Sequence, residues 1–300
     1  MSSIAPPERE RADSSLLAYE WLSFRLPIPD GEHVELNLRT VRSNVALLDS
    51  HVGEELWDAA KLFSAHLCLT SNTADESVSK GGGVSGRRIK GQRVLELGAG
   101  VAALGMCVAA LGAKQVLCTD YDADVLENME FNLKHNMPHI RRRNGNEEQE
   151  EASEKERPVR LARLDWNSLA DSDLQYDELL ANTNAEGNGA ERVTIARDTV
   201  DFDFSPEILI GSALVYSLPG ALSCADAIRH FLVDRRAQEC WLLQMPTRPG
   251  FDRFLLRLDD LGLACETFDI SEEVFQTAEK YMGSLKSKAD DFKLYVIKMQ

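Results

Sequence analysis

One stretch constrains the fold of this chain more than any other: Val94-Leu95-Glu96-Leu97-Gly98-Ala99-Gly100. Its first four residues read as a buried strand. The two glycines read as a tight turn, and "AALGMCVAALG" after them as a helix ending at Gly112. A strand that passes through a glycine turn into a helix is the opening unit of a doubly wound sheet. Gly98 and Gly100 lack a Cβ and let the backbone come close to a ligand. The helix, beginning near Val101, aims free N–H groups at the same spot. "QVLCTD" reads as the next strand and ends on Asp120, twenty positions beyond Gly100. A carboxylate there can accept both hydroxyls of a ribose, so the pair of strands predicts a nucleoside pocket. The plain alternative is a tight connection with no ligand.

The spacing bears on which nucleoside. The dinucleotide fingerprint is G-x-G-x-x-G, and here Ala103 stands where the third glycine belongs, with Gly105 later. That counts against a nicotinamide-dependent oxidoreductase. Glu96 sits in the lead-in to the turn and suits a cationic ligand better than a pyrophosphate. S-adenosylmethionine, with an ammonium, a sulfonium and no phosphate, meets that description.

The rest of the chain alternates strands and helices. "VRLARLDW", "EILIGSALVY", "ECWLLQM", "ACETFDI" and "FKLYVIKM" read as strands, and "ADVLENMEFNLKHN", "ADAIRHFLV" and "GFDRFLLRLDDLG" as helices. The expected fold class is α/β, a doubly wound, mostly parallel seven-stranded sheet with an antiparallel last strand. Residues 1–16 read as a disordered N-terminus. Residues 17–90 form an extension with a strand ("HVELNLRTV"), a helix over "EELWDAAKLFSAHLCL" and a flexible Ser/Gly link at 71–89. The core spans 91–300, with solvated inserts near 137–157 and 168–205.

Charge and cysteine usage narrow the function classes. A formal charge of −16 argues against nucleic acid, whose phosphates want a basic face. No apolar run is long enough for a bilayer, and "MSSIAPPERERADSS" lacks the apolar region of a secretory signal. The six cysteines form no C-x-x-C pair and the six histidines do not cluster, so neither a disulfide frame nor a metal site is expected. The reading is a reduced cytoplasmic protein, or one shared with the nucleus, and a monomer.

The chain resembles the class I, seven-strand S-adenosylmethionine-dependent methyltransferases, and more closely the protein-lysine methyltransferases of the methyltransferase-16 family. The resemblance is carried by "LWDAAKLFSAHL" (56–67), "GQRVLELGAG" (91–100), "LGAKQVLCTDYDADVLENMEFNLKHN" (111–136), "LDW" (164–166) and "ILIGSALVYS" (208–217). It implies that Trp57, in the helix before the core, packs on the cofactor. Gly98, Ala99 and Gly100 hug its methionine part, with Glu96 nearby. Asp120 binds the ribose, Tyr121 flanks the adenine, Trp166 closes the adenine pocket, and Ser212 touches the cofactor from the fourth core strand. It also implies a protein substrate presenting a lysine, among which translation factors and chaperones are known for the family. Trp57 also suits a plain core position, and Tyr216 a capping one.

Two departures from the family pattern stand out. Val101-Ala102 replaces the usual Thr-Gly after the turn. The acidic D-x-x-Y at the end of the fourth core strand is here Ala213-Leu214-Val215-Tyr216, which keeps the tyrosine and loses the acid. Tyr216 is therefore the expected catalytic residue, as wall or hydroxyl partner of the amine. With the acid gone, a small-molecule N-methyltransferase acting on a nicotinamide-like amine, or a catalytically weak interaction module of the same fold, stay open beside the protein-lysine reading.

Overall fold

The computed structural model describes residues 19–28, 33–41, 52–72, 84–143, 158–169 and 204–300. A hairpin of β1 (Tyr19–Pro27) and β2 (His33–Val41) comes first, then helix α1 (Asp58–Asn72). The alternation that follows is β3 (Arg93–Leu97), α2 (Ala103–Ala110), β4 (Gln115–Asp120), α3 (Ala123–Arg143) and β5 (Val159–Arg163). The second half runs β6 (Ile208–Ser212), α4 (Leu218–Val233), β7 (Glu239–Gln244), α5 (Phe251–Asp260), β8 (Leu263–Asp269), α6 (Glu272–Met282) and β9 (Lys293–Met299).

Seven strands form one sheet in the order β5-β4-β3-β6-β7-β9-β8. The pairs from β5 through β7 are parallel, and β9 is antiparallel to both β7 and β8. So β8 runs with the other strands and β9 alone runs against them. The antiparallel last strand is as expected, and it inserts between its two predecessors. Strand order reverses between β3 and β6, and ligands of such sheets bind at the carboxyl ends of the strands there.

Side-chain alternation along β3 sorts the core into two faces. Val94 packs in the layer that also holds the buried residues of α1, α2, α3 and α6. Leu95 and Leu97 pack in the opposite layer, with α4 and α5. Both faces of the sheet are covered, as parallel strands require.

The hairpin is tied to the sheet by an asparagine ladder. Asn128, Asn132 and Asn136 lie four residues apart on one face of α3 and are buried. Asn136 accepts from the Asn37 amide at 2.7 Å and donates to the Asn37 carbonyl at 2.8 Å. Asn132 does the same for Arg39, at 2.7 and 3.0 Å. Asn128 accepts from the Arg39 guanidinium at 2.7 Å and donates to the Arg39 carbonyl at 3.3 Å. The side chains of a helix thus satisfy the outer edge of β2 as a further strand would, leaving its buried peptide groups paired.

Several expectations are corrected. The extension holds two paired strands, not one, because Tyr19–Pro27 pairs along its whole length with His33–Val41. Helix α3 does not stop near Asn136 but runs through Pro138 to Arg143, anchored by buried Met137 and Ile140. Helix α6 was not expected; Ser271 caps it by accepting from the Val274 amide. Residues 84–89, assigned to the flexible link, are built in: the Gly86 amide donates to Thr70 Oγ1 at 2.9 Å and Ile89 is fully buried. Helix α2 starts at Ala103 rather than Val101. The disordered N-terminus at 1–16, the middle of the link at 73–83, and the inserts over 144–157 and 170–203 lie outside the described residues. Among those described, all six cysteines are free thiols, no helix is long and apolar enough to cross a membrane, and no cluster of metal-ligating side chains occurs.

Candidate active site

The turn after β3 is built from alternate left-handed residues: Gly98 at φ 57°, Gly100 at φ 54° and Ala102 at φ 63°. Glycine enters that region freely, whereas an L side chain is strained there. The turn is pinned to the neighbouring strand. The Ala99 amide donates to the Thr119 carbonyl at 2.8 Å, and the Gly100 amide donates to Asp120 Oδ2 at 3.2 Å. Thr119 Oγ1 in turn donates to the Glu96 carbonyl at 2.7 Å.

Space around the turn is tight on both sides. A Cβ on Gly98 would stand 2.9 Å from Leu214 Cδ2 and 3.5 Å from Trp166 Cζ2. One on Gly100 would stand 2.7 Å from the carbonyl oxygen of Gly53. Gly53 belongs to the 3-10 turn Val52–Glu54, which folds back over the glycine turn and leans on Val125 of α3. Sequence reasoning missed Gly53, since only the tertiary fold brings it there.

Asp120 closes β4 and is mostly buried. Its Oδ1 accepts from the Tyr121 amide at 2.8 Å and from the Asp122 amide at 3.4 Å, while Oδ2 holds the Gly100 amide alone and keeps a lone pair for a ligand hydroxyl. Burial raises its pKa above the ordinary carboxylate value, against the three amides that lower it. Tyr121 beside it is exposed, and its carbonyl is held by Arg163 Nε at 3.0 Å. Trp166 opens the 3-10 turn Trp166–Leu169 and packs half-buried against Gly98 and the α4 layer.

Glu96 lies on the other face, against α2. It is buried, and its Oε2 has no hydrogen-bond partner among the described residues. Burial pushes its pKa up to about 8. A Cβ on Gly105 would stand 2.6 Å from that oxygen, so Gly105 makes room for the acid under the helix. Among the nine site residues expected to hold the cofactor, Glu96 and Trp166 therefore sit on opposite sides of the sheet.

Ser212 and Tyr216, the latter expected on the substrate side, flank the end of β6. Ser212 ends that strand, and Ala213 after it turns left-handed at φ 54°. Tyr216 emerges 51% exposed. Burial of its hydroxyl raises its pKa, and Tyr121 and Asp120 are close enough to raise it further. These three residues, read separately from the sequence, meet at the strand ends. Trp57 immediately precedes α1 rather than lying inside it, and the Arg248 guanidinium stands 5.9 Å from its ring centre. Its neighbour Asp58 holds the segment after α6, accepting from the amides of Lys286 at 2.7 Å and Ser287 at 3.0 Å.

The sheet order and the pinned glycine turn are the α/β arrangement that the resemblance implied. Comparison with known proteins agrees: residues 42–180 match the family model Methyltransf_16, described as lysine methyltransferase. The protein N-terminal and lysine N-methyltransferase EFM7 of Yarrowia lipolytica is 35% identical over 103 residues, 34% of this chain and 31% of that protein. Its counterpart of the same name in Aspergillus fumigatus is 34% identical over 104 residues, 34% of each chain. The chain thus spans about a third of the length of the curated relatives it matches. Among solved structures, a TehB-like SAM-dependent methyltransferase from Corynebacterium glutamicum aligns at a TM-score of 0.39 and 14% identity, over 75% of this chain and 94% of that one.

Proposed function

We propose that this protein is an S-adenosylmethionine-dependent protein-lysine N-methyltransferase, acting as a monomer in the cytoplasm or shared between cytoplasm and nucleus. The observation that carries this reading is the left-handed Gly98–Gly100 turn bonded to Asp120. It sets bare backbone beside a carboxylate oxygen, Asp120 Oδ2, that keeps a lone pair. The match of residues 42–180 to the lysine methyltransferase family supports it. The residues present fit the cofactor. Gly98, Ala99 and Gly100 would border its methionine part with their backbone, and Asp120 would take the ribose hydroxyls. Tyr121 and Trp166 would border the adenine, and Ser212 and Trp57 the remaining walls. Glu96 stands buried beneath α2 at the lead-in to the same turn.

When bound, S-adenosylmethionine supplies an electrophilic methyl group on a sulfonium. The chain's own residues prepare the amine. A lysine ammonium, with a reference pKa of about 10.4, has no lone pair and must lose its proton. Beside the sulfonium charge, the charged form of the incoming amine is disfavoured. With a reference pKa of about 10, the Tyr216 phenol is protonated at neutral pH, and its oxygen would accept from an amine N–H and orient the lone pair. The net charge of −16 steers a basic protein segment toward the site.

A second reading is an N-terminal α-amine as acceptor. Ala213 places no carboxylate beside the amine, and an α-amine, with a reference pKa of about 7.7–8.0, loses its proton near neutral pH unaided. The relatives named above carry both activities in their names. Calorimetric titration with S-adenosylmethionine, followed by transfer of labelled methyl into a cell lysate, tests the proposal. Saturable binding and label on protein lysine support it. Label on protein N-termini selects the second reading, and label on metabolites or none at all overturns both.

A further inference from the structure

We infer that Gln244 is a positioning residue that sets the substrate wall by holding Val215 and, through it, Tyr216. The inference rests on the reading of Tyr216 given above. Gln244 is the last residue of β7 and is fully buried. Its Oε1 accepts from the Val215 amide at 3.0 Å, and its Nε2 donates to the Val215 carbonyl at 2.8 Å. One side chain therefore satisfies both peptide groups of a residue on the neighbouring loop.

The need for this clamp follows from the backbone. Strands β6 and β7 pair up to Ser212 and Leu243, and the Ala213 amide still donates to the Leu243 carbonyl at 2.9 Å. Ala213 then turns left-handed and the chain leaves the sheet. Val215 is buried beyond that point, where its amide and carbonyl have lost the ladder. Unpaired, each would destabilise the loop by roughly 1–3 kcal/mol. A primary amide offers a donor and an acceptor at one end, and glutamine has the reach. Glutamate lacks the donor and methionine lacks both. The next residue is Tyr216. Its exposed ring has no comparable restraint of its own among the described contacts, so its direction is inherited from Val215.

The cofactor cradle rests mainly on β3 and β4 and meets this loop at Ser212 and at Leu214 beside Gly98, ahead of the clamped residue. Because Gln244 holds Val215, its variants should weigh on Tyr216 more than on the cradle. The experiment compares Gln244→Met, Tyr216→Ala and the double variant in the full-length protein. Affinity for S-adenosylmethionine is read by calorimetry. Transfer of labelled methyl is read on lysate protein over a range of total protein concentration. Gln244→Met is expected to keep cofactor affinity within about threefold and lose at least tenfold in transfer. In the Tyr216→Ala background it should cost less than a further twofold, since the two residues act in series.

Transfer at the parental rate in Gln244→Met, a parallel fall in cofactor affinity, or losses that multiply in the double variant would each overturn the inference. Parental transfer by Tyr216→Ala would overturn it at its root, by removing the role of Tyr216 itself. Should Gln244→Met not fold, Gln244→Glu carries the same comparison, losing only the Nε2 donor. Failure of both to fold would also count against the inference, making Gln244 a determinant of the fold as a whole.

Discussion

The carbonyl oxygen of Gly53 lies 2.7 Å from where a Cβ on Gly100 would stand. The N-terminal part of the chain therefore roofs the glycine turn, and the fit works only because Gly100 has no side chain. Gly53 is itself confined, since its own Cβ would meet Val125 Cγ2 at 2.7 Å. Neither partner has room to yield.

Gly100→Ala should therefore combine two losses, left-handed strain and a clash with backbone. Gly91→Ala is the control: its φ is 78°, but nothing lies within 4 Å of the added methyl. Denaturant titration should show Gly91→Ala destabilised by about 1 kcal/mol, the left-handed penalty alone. Gly100→Ala should lose clearly more, together with at least tenfold in affinity for S-adenosylmethionine. Equal losses in the two variants would show that the 52–54 turn does not press on Gly100.

Glu96 predicts a pH dependence of stability. Burial lifts its pKa from 4.5 to about 8 in the folded chain. Between those values the native state holds a proton that the unfolded state has released, so stability falls as pH rises. The contribution is whole below about pH 4.5 and gone above about pH 8. Glu96→Gln cannot ionise and should escape this loss. Denaturation midpoints of the two proteins should diverge from pH 5 to pH 8, in favour of the variant. Parallel curves would mean that Glu96 is already ionised in the fold.

The sheet was legible in the sequence because its strands are short apolar runs bounded by helices, and the turn because Gly98, Gly100 and Asp120 stand at telling spacings. What stayed hidden depends on tertiary contact. Tyr19–Pro27 shows partial alternation only, and its partner strand defines it. Pro138 reads as a helix end, since proline lacks an N–H and crowds the carbonyl four residues back. Burial of Met137 and Ile140 outweighs that signal. Gly53 and Gln244 carry no local signature, because their roles lie on neighbours 47 and 29 positions away, at Gly100 and Val215. Helix α6 did carry one: Ser271 followed by Glu272 and Glu273 is an N-cap with acids in the first turn.

The asparagine ladder yields a stability test with a local readout. Asn132 holds both peptide groups of Arg39 and also donates to the Val101 carbonyl at 3.4 Å, so it links the hairpin to the glycine turn. Asn132→Leu fills similar space and leaves the Arg39 amide without its acceptor. The expected destabilisation is about 2–3 kcal/mol, the range for stranding buried peptide groups. Hydrogen exchange should accelerate at Arg39 while Asn37, held by Asn136, stays protected. Unchanged exchange at Arg39 would show that β2 does not depend on the ladder.

Both departures from the family pattern fall on left-handed alanines, Ala102 and Ala213. Ala102 is fully buried, so removing its methyl trades strain against packing. Ala213 is half-exposed and offers a cleaner test. Asn and Asp enter the left-handed region more readily than alanine, because their side chains bond locally. Ala213→Asn should therefore raise stability by several tenths of a kcal/mol without adding charge. Ala213→Asp should be similar in stability and also place a carboxylate three residues before Tyr216, just past the end of β6. If the acceptor is lysine, the aspartate should increase methyl transfer at least threefold over Ala213→Asn by holding the incoming amine. If the acceptor is an α-amine, the two variants should transfer alike. Melting curves and labelled-methyl transfer on the same pair read out both effects, and a loss of transfer in Ala213→Asp relative to Ala213→Asn would contradict the placing of the amine beside Tyr216.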